Sequence, residues 1–426
     1  MNQPFGGFGV YIHLPWCVEK CPYCDFNSYA LHSRSGLQPS RETRYVAALR
    51  QEIQFFRDHS PWRDLPVGTV SLGGGTPSLF SGTAIAEILG DLRRSFDCDT
   101  ICEITLEANP GTIREPLDFE RLAAYREAGV NRISFGCQSF SPKKLQALGR
   151  IHSPDDIPRA IAAARSAGFD NLNVDLMFGV RDETVDEWKN DLRSALALSP
   201  EHISLYSLTI EPGTVFDRRA RKGDVLTVDE DRSRAMYEAA VAAAETAGLQ
   251  RYEVSNFARP GHECRHNLGY WRGIPYLGLG AGAHGFYPAG HLPPETFPAT
   301  VERRGAKWGV RWRNIPGPDD YLQRADANGS AAHATETLTR EQALLEFFFL
   351  RLRTREGARL DELERRFGLS LEQLLGPALK RLIDEQLVSI EDGQFKTTAD
   401  GMLVLDSLLE LVAKHIEQRQ TPLESH

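Results

Sequence analysis

The stretch "YIHLPWCVEKCPYCDFNS" (residues 11–28) places three cysteines, Cys17, Cys21 and Cys24, within eight residues, followed at once by Asp25 and Phe26. Thiolates spaced this closely on one loop can serve a single soft metal centre. A structural zinc site needs four ligands, a disulfide two and a nucleophile one, so a set of three matches none of them as it stands. Three thiolates on a four-position centre leave one position open, the mark of a site that binds substrate or cofactor. Zinc completed by His13 or His32 is the alternative that spacing alone allows. The context weighs against it, because the loop follows the first strand candidate and faces a Gly-rich turn, "GGGTP" (73–77).

The elements that must carry these residues repeat one unit: a short β-rich run, a turn, then an amphipathic helical stretch. The pattern predicts strands over 9–14, 68–73, 102–108, 131–136, 171–177 and 202–208. Helices are predicted over 41–57, 84–96, 118–128, 155–167 and 185–198, and "EAGV" and "SAGF" read as glycine C-caps. Strands that alternate with helices imply a parallel sheet, since parallel neighbours need crossovers. Six units are too few for a closed eight-stranded barrel, so an α/β fold with a partial, open (β/α)6 barrel is expected over 1–215. The cysteines, "GGGTP", "EANPG", "GCQSF" and "DLMFG" all fall at or after strand ends, where the site of a parallel α/β fold lies.

After about residue 215 a helix (228–247) leads into "QRYEVSNFARPGHECRHNLGYWRGIPYLGLGAGAHGF", and 216–330 reads as an α+β connecting region. "GLGAGAHG" lacks the strand–helix context of a nicotinamide site and is read as backbone packing near a ligand site. From 331 to 426 the pattern is a small helical domain with a ribbon around an Asp-Gly turn, "LVSIEDGQFKTT", similar to a winged helix. Cys98, Cys102, Cys137 and Cys264 are read mostly as buried small hydrophobes.

The chain has 426 residues, 41% hydrophobic and 25% charged, with 49 basic against 58 acidic side chains, a formal −9. That balance argues against a nucleic-acid or membrane-surface binder, and the mixed charge of the C-terminal module supplies no groove-reading face. No run approaches the ~18–20 apolar residues of a transmembrane helix. "MNQPFGGFGV" has neither a basic start nor a long apolar segment, so the expected compartment is the cytoplasm. Seven cysteines, three of them clustered, do not resemble a secreted disulfide framework.

The CxxxCxxC spacing with Tyr23 before its last cysteine resembles the radical S-adenosylmethionine (SAM) family. "GGGTPS", "EANPGT", "GCQSF", "LGRIH", "NVDLMFG", "IEPGT" and "HNLGYW" then follow in the order of one branch of that family. This branch contains the oxygen-independent coproporphyrinogen III oxidases and the heme chaperones of the HemW type. The resemblance covers nearly the whole chain from Tyr11. It implies that Cys17, Cys21 and Cys24 hold a [4Fe–4S] cluster whose fourth iron is chelated by the amino and carboxylate groups of SAM. An electron from the reduced cluster would then split SAM into methionine and a 5′-deoxyadenosyl radical.

The neighbouring residues suit that ligand. Gly73, Gly74 and Gly75 would let backbone amides approach the methionyl end of SAM, and Thr76 adds a hydroxyl. By position in the family motifs, Glu107 would meet the ammonium or ribose, and Gln138 and Asp175 the adenosine or ribose. Arg150 offers a fork for a carboxylate. Tyr11 and Tyr23 would pack against the methionine or adenine. Read one by one, Glu107 and Arg150 are more simply surface charges and the tyrosines core edges; the ordered set of motifs is what reverses that reading.

Two activities from different classes are implied: radical decarboxylation of coproporphyrinogen III, or heme delivery with SAM and the cluster in an accessory role. The oxidases carry a fourth cysteine two residues after the third, where this chain has Phe26, and a longer segment before the cysteines than the sixteen residues here. "HNLGYW" resembles the heme-associated motif of the chaperones. All three features favour the chaperone. In that reading His266 is the axial ligand to iron, Tyr270 or Trp271 covers a porphyrin face, and Arg259, Arg265 and Arg272 meet the propionates. His262 and Cys264 are alternative ligands. The implied partners are heme and an acceptor hemoprotein, a respiratory one among the candidates, with membrane contact only through that partner and no nucleic acid. A homodimer is left open.

Overall fold

A computed structural model describes residues 7–31, 36–59, 61–113, 117–288 and 308–419. His32, one of the zinc-completing candidates, lies outside them. Six parallel strands form the centre: β1 (Phe8–Leu14), β2 (Val67–Gly74), β3 (Glu103–Ala108), β4 (Arg132–Gln138), β5 (Leu172–Phe178) and β6 (His202–Ser207). They pair in chain order, each with the next. Helices Pro39–His59, Gly82–Ser95, Leu117–Ala128, Asp156–Ser166 and Val185–Ala197 fill the crossovers. All six predicted strands and five predicted helices are present.

Alternation explains the layering. In β1 Phe8, Val10, Ile12 and Leu14 are fully buried in the main core, so Gly9, Tyr11 and His13 take the opposite, concave face. Helix ends follow local chemistry. Ser81 caps Gly82–Ser95 by accepting from the Ala84 amide, and Thr184 with Glu187 forms a capping box. Gly129 and Gly168, the glycines of "EAGV" and "SAGF", adopt φ of 108° and 87°, as a left-handed exit requires.

The sheet does not close, but it runs well past the six strands. Beyond β6 lie β7 (Gln250–Arg251) and β8 (Asn256–Ala258), with β8 antiparallel to β6. Beyond β1 come β9 (Tyr276–Leu279), β10 (His284–Tyr287), β11 (Val310–Asn314) and β12 (Ala332–Thr337). Strand β9 pairs parallel with β1, and the others follow antiparallel, giving twelve strands in all. The segment read as a connection therefore supplies sheet, and "GLGAGAHG" is the turn between β9 and β10. The sequence conceals this because these strands are short and glycine-rich, and β9 finds its partner far away in β1. Residues 332–337 also belong to this sheet, so the C-terminal unit starts later than 331.

That unit has its own core, from Ala343 to Ile416. Its ribbon, Val388–Glu391 and Gln394–Thr397, turns at Asp392 and Gly393, both at positive φ, as the Asp-Gly signal predicts. Among the described residues no helix is long and apolar enough to cross a membrane.

Candidate functional site

The concave face of the central strands is polar at every second position. Strand β3 contributes Thr105 and Glu107, β4 Arg132 and Ser134, β5 Asn173 and Asp175, and β6 His202 and Ser204. Together with the cysteine loop they line a cleft of about 440 Å³ at the C-terminal ends of the strands. The sequence reading named only Glu107 and Asp175 of this inner row, although its signal, polar residues at period two, was there to read.

Cys17, Cys21, Cys24 and Tyr23 form one wall, and Gly74, Gly75, Thr76, Glu107, Gln138, Arg150 and Asp175 line the rest. All three cysteines are free and half-buried. The Thr76 hydroxyl donates to Cys17 Sγ at 3.4 Å, and Arg150 donates through Nη1 to Cys21 Sγ at 3.3 Å. Burial pushes the Cys17 and Cys24 thiols up, opposed by hydrogen bonds from Thr76 and the Phe26 amide. Among the described residues no three His, Cys, Asp or Glu side chains surround a single ion position. Three thiols on one wall suit an iron–sulfur cluster, in which each thiolate holds its own iron. His13 is a poor zinc ligand: it is buried, with Nδ1 bonded to Tyr11 Oη at 3.0 Å and Nε2 to the Asn27 carbonyl at 2.8 Å.

Two expectations change. Three amides of "GGGT" are bonded within the protein: Gly74 donates to Glu107 Oε2, Gly75 to the Leu14 carbonyl and Thr76 to the Trp16 carbonyl. Gly74 instead is required by its φ of 104° and by His13, which a Cβ there would meet at 2.2 Å. Arg150 spends its fork on protein, since Nη2 donates to the Gly136 carbonyl at 2.6 Å while Nη1 holds Cys21. These two bonds tie it to the cysteine loop and to β4.

Other groups stand ready for a ligand. Gln138 Oε1, Arg150 Nε and Thr105 Oγ1 are buried without a hydrogen-bond partner. Gln138 holds φ of 65° beside a register shift between β4 and β5, backbone strain of the sort found where a side chain is aimed into a site. Glu107 is pushed up to about 7, first by burial and then by Asp175, against the Gly74 amide. Burial also raises Asp175, although Ser134 and Asn173 donate to it at 3.1 and 2.7 Å. Two buried carboxylates short of positive partners suit a ligand that carries cationic groups, as SAM does with its sulfonium and ammonium.

Tyr11 and His266 are not in this cleft. They line an adjoining one of about 710 Å³, which shares Phe26, Ser71, Gly74, Glu107 and Asn267 with the first. "HNLGYW" forms the helix Arg265–Trp271. Buried Glu103, which the sequence did not flag, accepts from the amides of Arg265 and His266 at 3.0 and 2.9 Å and ties the start of this helix to β3. His266 is 4% exposed. Its Nδ1 is bonded to Thr69 Oγ1 and its Nε2 to Tyr270 Oη, both at 2.9 Å. Both ring nitrogens are thus hydrogen-bonded within the fold. Arg272 pairs with Glu356, and the Trp271 carbonyl accepts from Arg351, so the motif also docks the C-terminal unit. Arg259, Arg265, Arg272 and His262 do not line the larger cleft. Of the remaining cysteines, Cys137 and Cys264 are buried, Cys98 is half-buried and Cys102 is exposed.

The radical SAM superfamily model matches residues 11–195, and the HemN C-terminal domain model matches residues 338–404. The heme chaperone HemW of Haemophilus influenzae is 38% identical over 94% of this chain and 97% of its own length. That of Escherichia coli is 38% identical over the same shares, 94% and 97%. The solved structure of the Escherichia coli coproporphyrinogen III oxidase HemN, titled a radical SAM enzyme, superposes with a TM-score of 0.76 at 21% identity. That match covers 98% of this chain and 91% of the oxidase, a likeness of fold.

Proposed function

The chain belongs to the HemW heme chaperone family of the radical SAM superfamily, and on that premise we propose that it binds heme in the cytoplasm and hands it to an acceptor protein. The observation that carries this reading is the end-to-end identity with chaperones, covering 97% of their length. The absence of a fourth cysteine supports it: Phe26 occupies that position and is 58% exposed at the rim shared by the two clefts.

In this reading Cys17, Cys21 and Cys24 hold a [4Fe–4S] cluster and SAM lies beside it in the smaller cleft. When bound, the cluster supplies an electron to the SAM sulfonium. The chain's own work is positioning. Arg150 and Thr76 donate to two of the thiolates, Glu107 and Asp175 face the cationic groups, and Gln138 offers its free amide oxygen to the nucleoside. Tyr23 covers the cysteine loop. Heme occupies the larger cleft, separated from SAM by the shared wall of Glu107 and Asn267.

Anaerobic reconstitution of the cluster followed by two assays on one sample tests the reading. Hemin titration is expected to saturate at a fixed ratio with a shifted Soret band, and coproporphyrinogen III with SAM and reductant is expected to remain unchanged. Sustained formation of protoporphyrinogen IX would make the protein an oxidase and overturn the proposal.

A further inference from the structure

Gln138, whose amide oxygen is buried without a partner in the smaller cleft, does not hold its own conformation. The Ser139 amide donates to the Cys137 carbonyl at 2.8 Å across it, and with φ of 65° this closes a tight three-residue turn of the rare, strained hand. The turn sits on a bulge, since Gly136 pairs with Asp175 but Gln138 with Leu176. Such strain persists only where the surroundings over-determine it. Directly after the turn one carboxylate clips the chain. Asp191, on the helix Val185–Ala197, accepts from the Ser139 hydroxyl through Oδ2 at 2.6 Å and from the Phe140 amide through Oδ1 at 2.7 Å. Lys144 Nζ donates to the same Oδ2 at 3.1 Å and also to Glu183, and lies 5.0 Å from the centre of the Trp188 ring. Glu183 accepts in turn from the Val180 amide at 3.1 Å, just past the end of β5.

We propose that Asp191, its charge balanced by Lys144, is a positioning residue for SAM: by holding residues 139 and 140 it keeps Gln138 in the left-handed turn, with its amide oxygen presented to the cleft. The proposal rests on the reading of the smaller cleft as the SAM site and identifies what preorganises it. Ser139, Lys144, Glu183 and Asp191 are all buried. Lys144, Glu183 and Asp191 do not line the cleft, so they act through the turn and not on the ligand. A buried ion triad is a poor source of stability, because taking its charges out of water offsets much of their attraction. What it fixes here is the exit of β4, and through Glu183 the exit of β5, the strand that presents Asp175. Loosening the clip lets residue 138 relax to negative φ, which swings its side chain away from its present direction.

The test is a double-mutant cycle read by anaerobic calorimetry of SAM binding to the reconstituted full chain, with circular dichroism and iron content as controls. Asp191→Asn keeps an acceptor for the Phe140 amide but removes the charge that Lys144 meets. It is expected to bind SAM about fivefold more weakly, with iron content unchanged because other bonds hold the cysteine loop. On a Gln138→Ala background the same change is expected to cost nothing further, since no amide is left to present. A residue that only stabilised the fold would weaken both backgrounds equally, so additive losses overturn the proposal. Unchanged SAM affinity in folded Asp191→Asn overturns it too. Ser139→Ala removes one bond of the clip, leaves the triad intact and serves where Asp191→Asn does not fold. It is expected to weaken SAM about twofold, and not at all on the Gln138→Ala background; equal losses on both overturn the proposal. Absence of saturable SAM binding by reconstituted wild type overturns the reading of the cleft itself, a different outcome from these.

Discussion

Two adjoining clefts share one wall, yet motif residues behave oppositely in them. In the smaller cleft the residues of the recognisable motifs line the cavity, and two of their polar atoms, Gln138 Oε1 and Arg150 Nε, have no partner among the described residues. In the larger cleft the recognisable motif is spent on protein. "HNLGYW" gives its first amides to Glu103, its histidine to Thr69 and Tyr270, and its last carbonyl to Arg351. His284 and Arg313, which also line that cavity, lie outside the motif. The lesson is that a conspicuous local sequence marks where many constraints meet, and those constraints belong to a ligand in one place and to a junction of structural units in another.

Substitutions can break or sharpen this contrast. The largest effect is expected from Cys21→Ala, which removes one cluster ligand: bound iron after reconstitution falls to background, while urea stability of the cluster-free protein changes by less than about 1 kcal/mol, because the half-buried thiol makes only long contacts. Retention of the cluster would contradict the placement. Glu103→Ala should do the reverse. It strips the partner from one buried and one part-buried helix-start amide, the buried one worth about 1–3 kcal/mol, so stability falls by about 2 kcal/mol with iron content unchanged. A stable Glu103→Ala protein would mean that the motif is not the junction described here.

A smaller effect is expected for Gln138→Ala. Loss of one hydrogen bond to bound nucleoside weakens SAM about tenfold, roughly 1.4 kcal/mol, measurable by anaerobic calorimetry on the reconstituted protein. The smallest is a pH effect. Glu107 is held up to about 7 from 4.5, so the folded chain binds that proton more tightly than the unfolded chain. The ligand-free fold therefore loses stability as pH rises from about 4.5 through about 7. A cation beside the carboxylate recovers part of that loss, so SAM should bind about threefold more tightly at pH 8 than at pH 6 through this group. Glu107→Gln should flatten that part of the slope; an identical slope in the variant would remove Glu107 from the SAM site.

The central strands, their crossovers and the cysteine loop were legible because local chemistry writes them directly. Alternation sets strand faces, Ser81 and Thr184 start helices, and the glycines of "EAGV" and "SAGF" end them. The spacing of Cys17, Cys21 and Cys24 likewise needs only one loop to bring three thiols to one wall. What the chain order hides is every pairing between distant residues. Strand β9 lies against β1, some 267 positions earlier in the register Gly9 to Tyr276. Glu103 finds the amide of His266, and Gly74 gives its amide to Glu107. Whether a polar side chain is a free ligand or a satisfied core group depends on such partners, and no local pattern contains them. The sequence by itself determined which residues could do chemistry; only the tertiary structure decided which of them were left free to do it, because a hydrogen bond made across the fold is what uses up a donor or a lone pair.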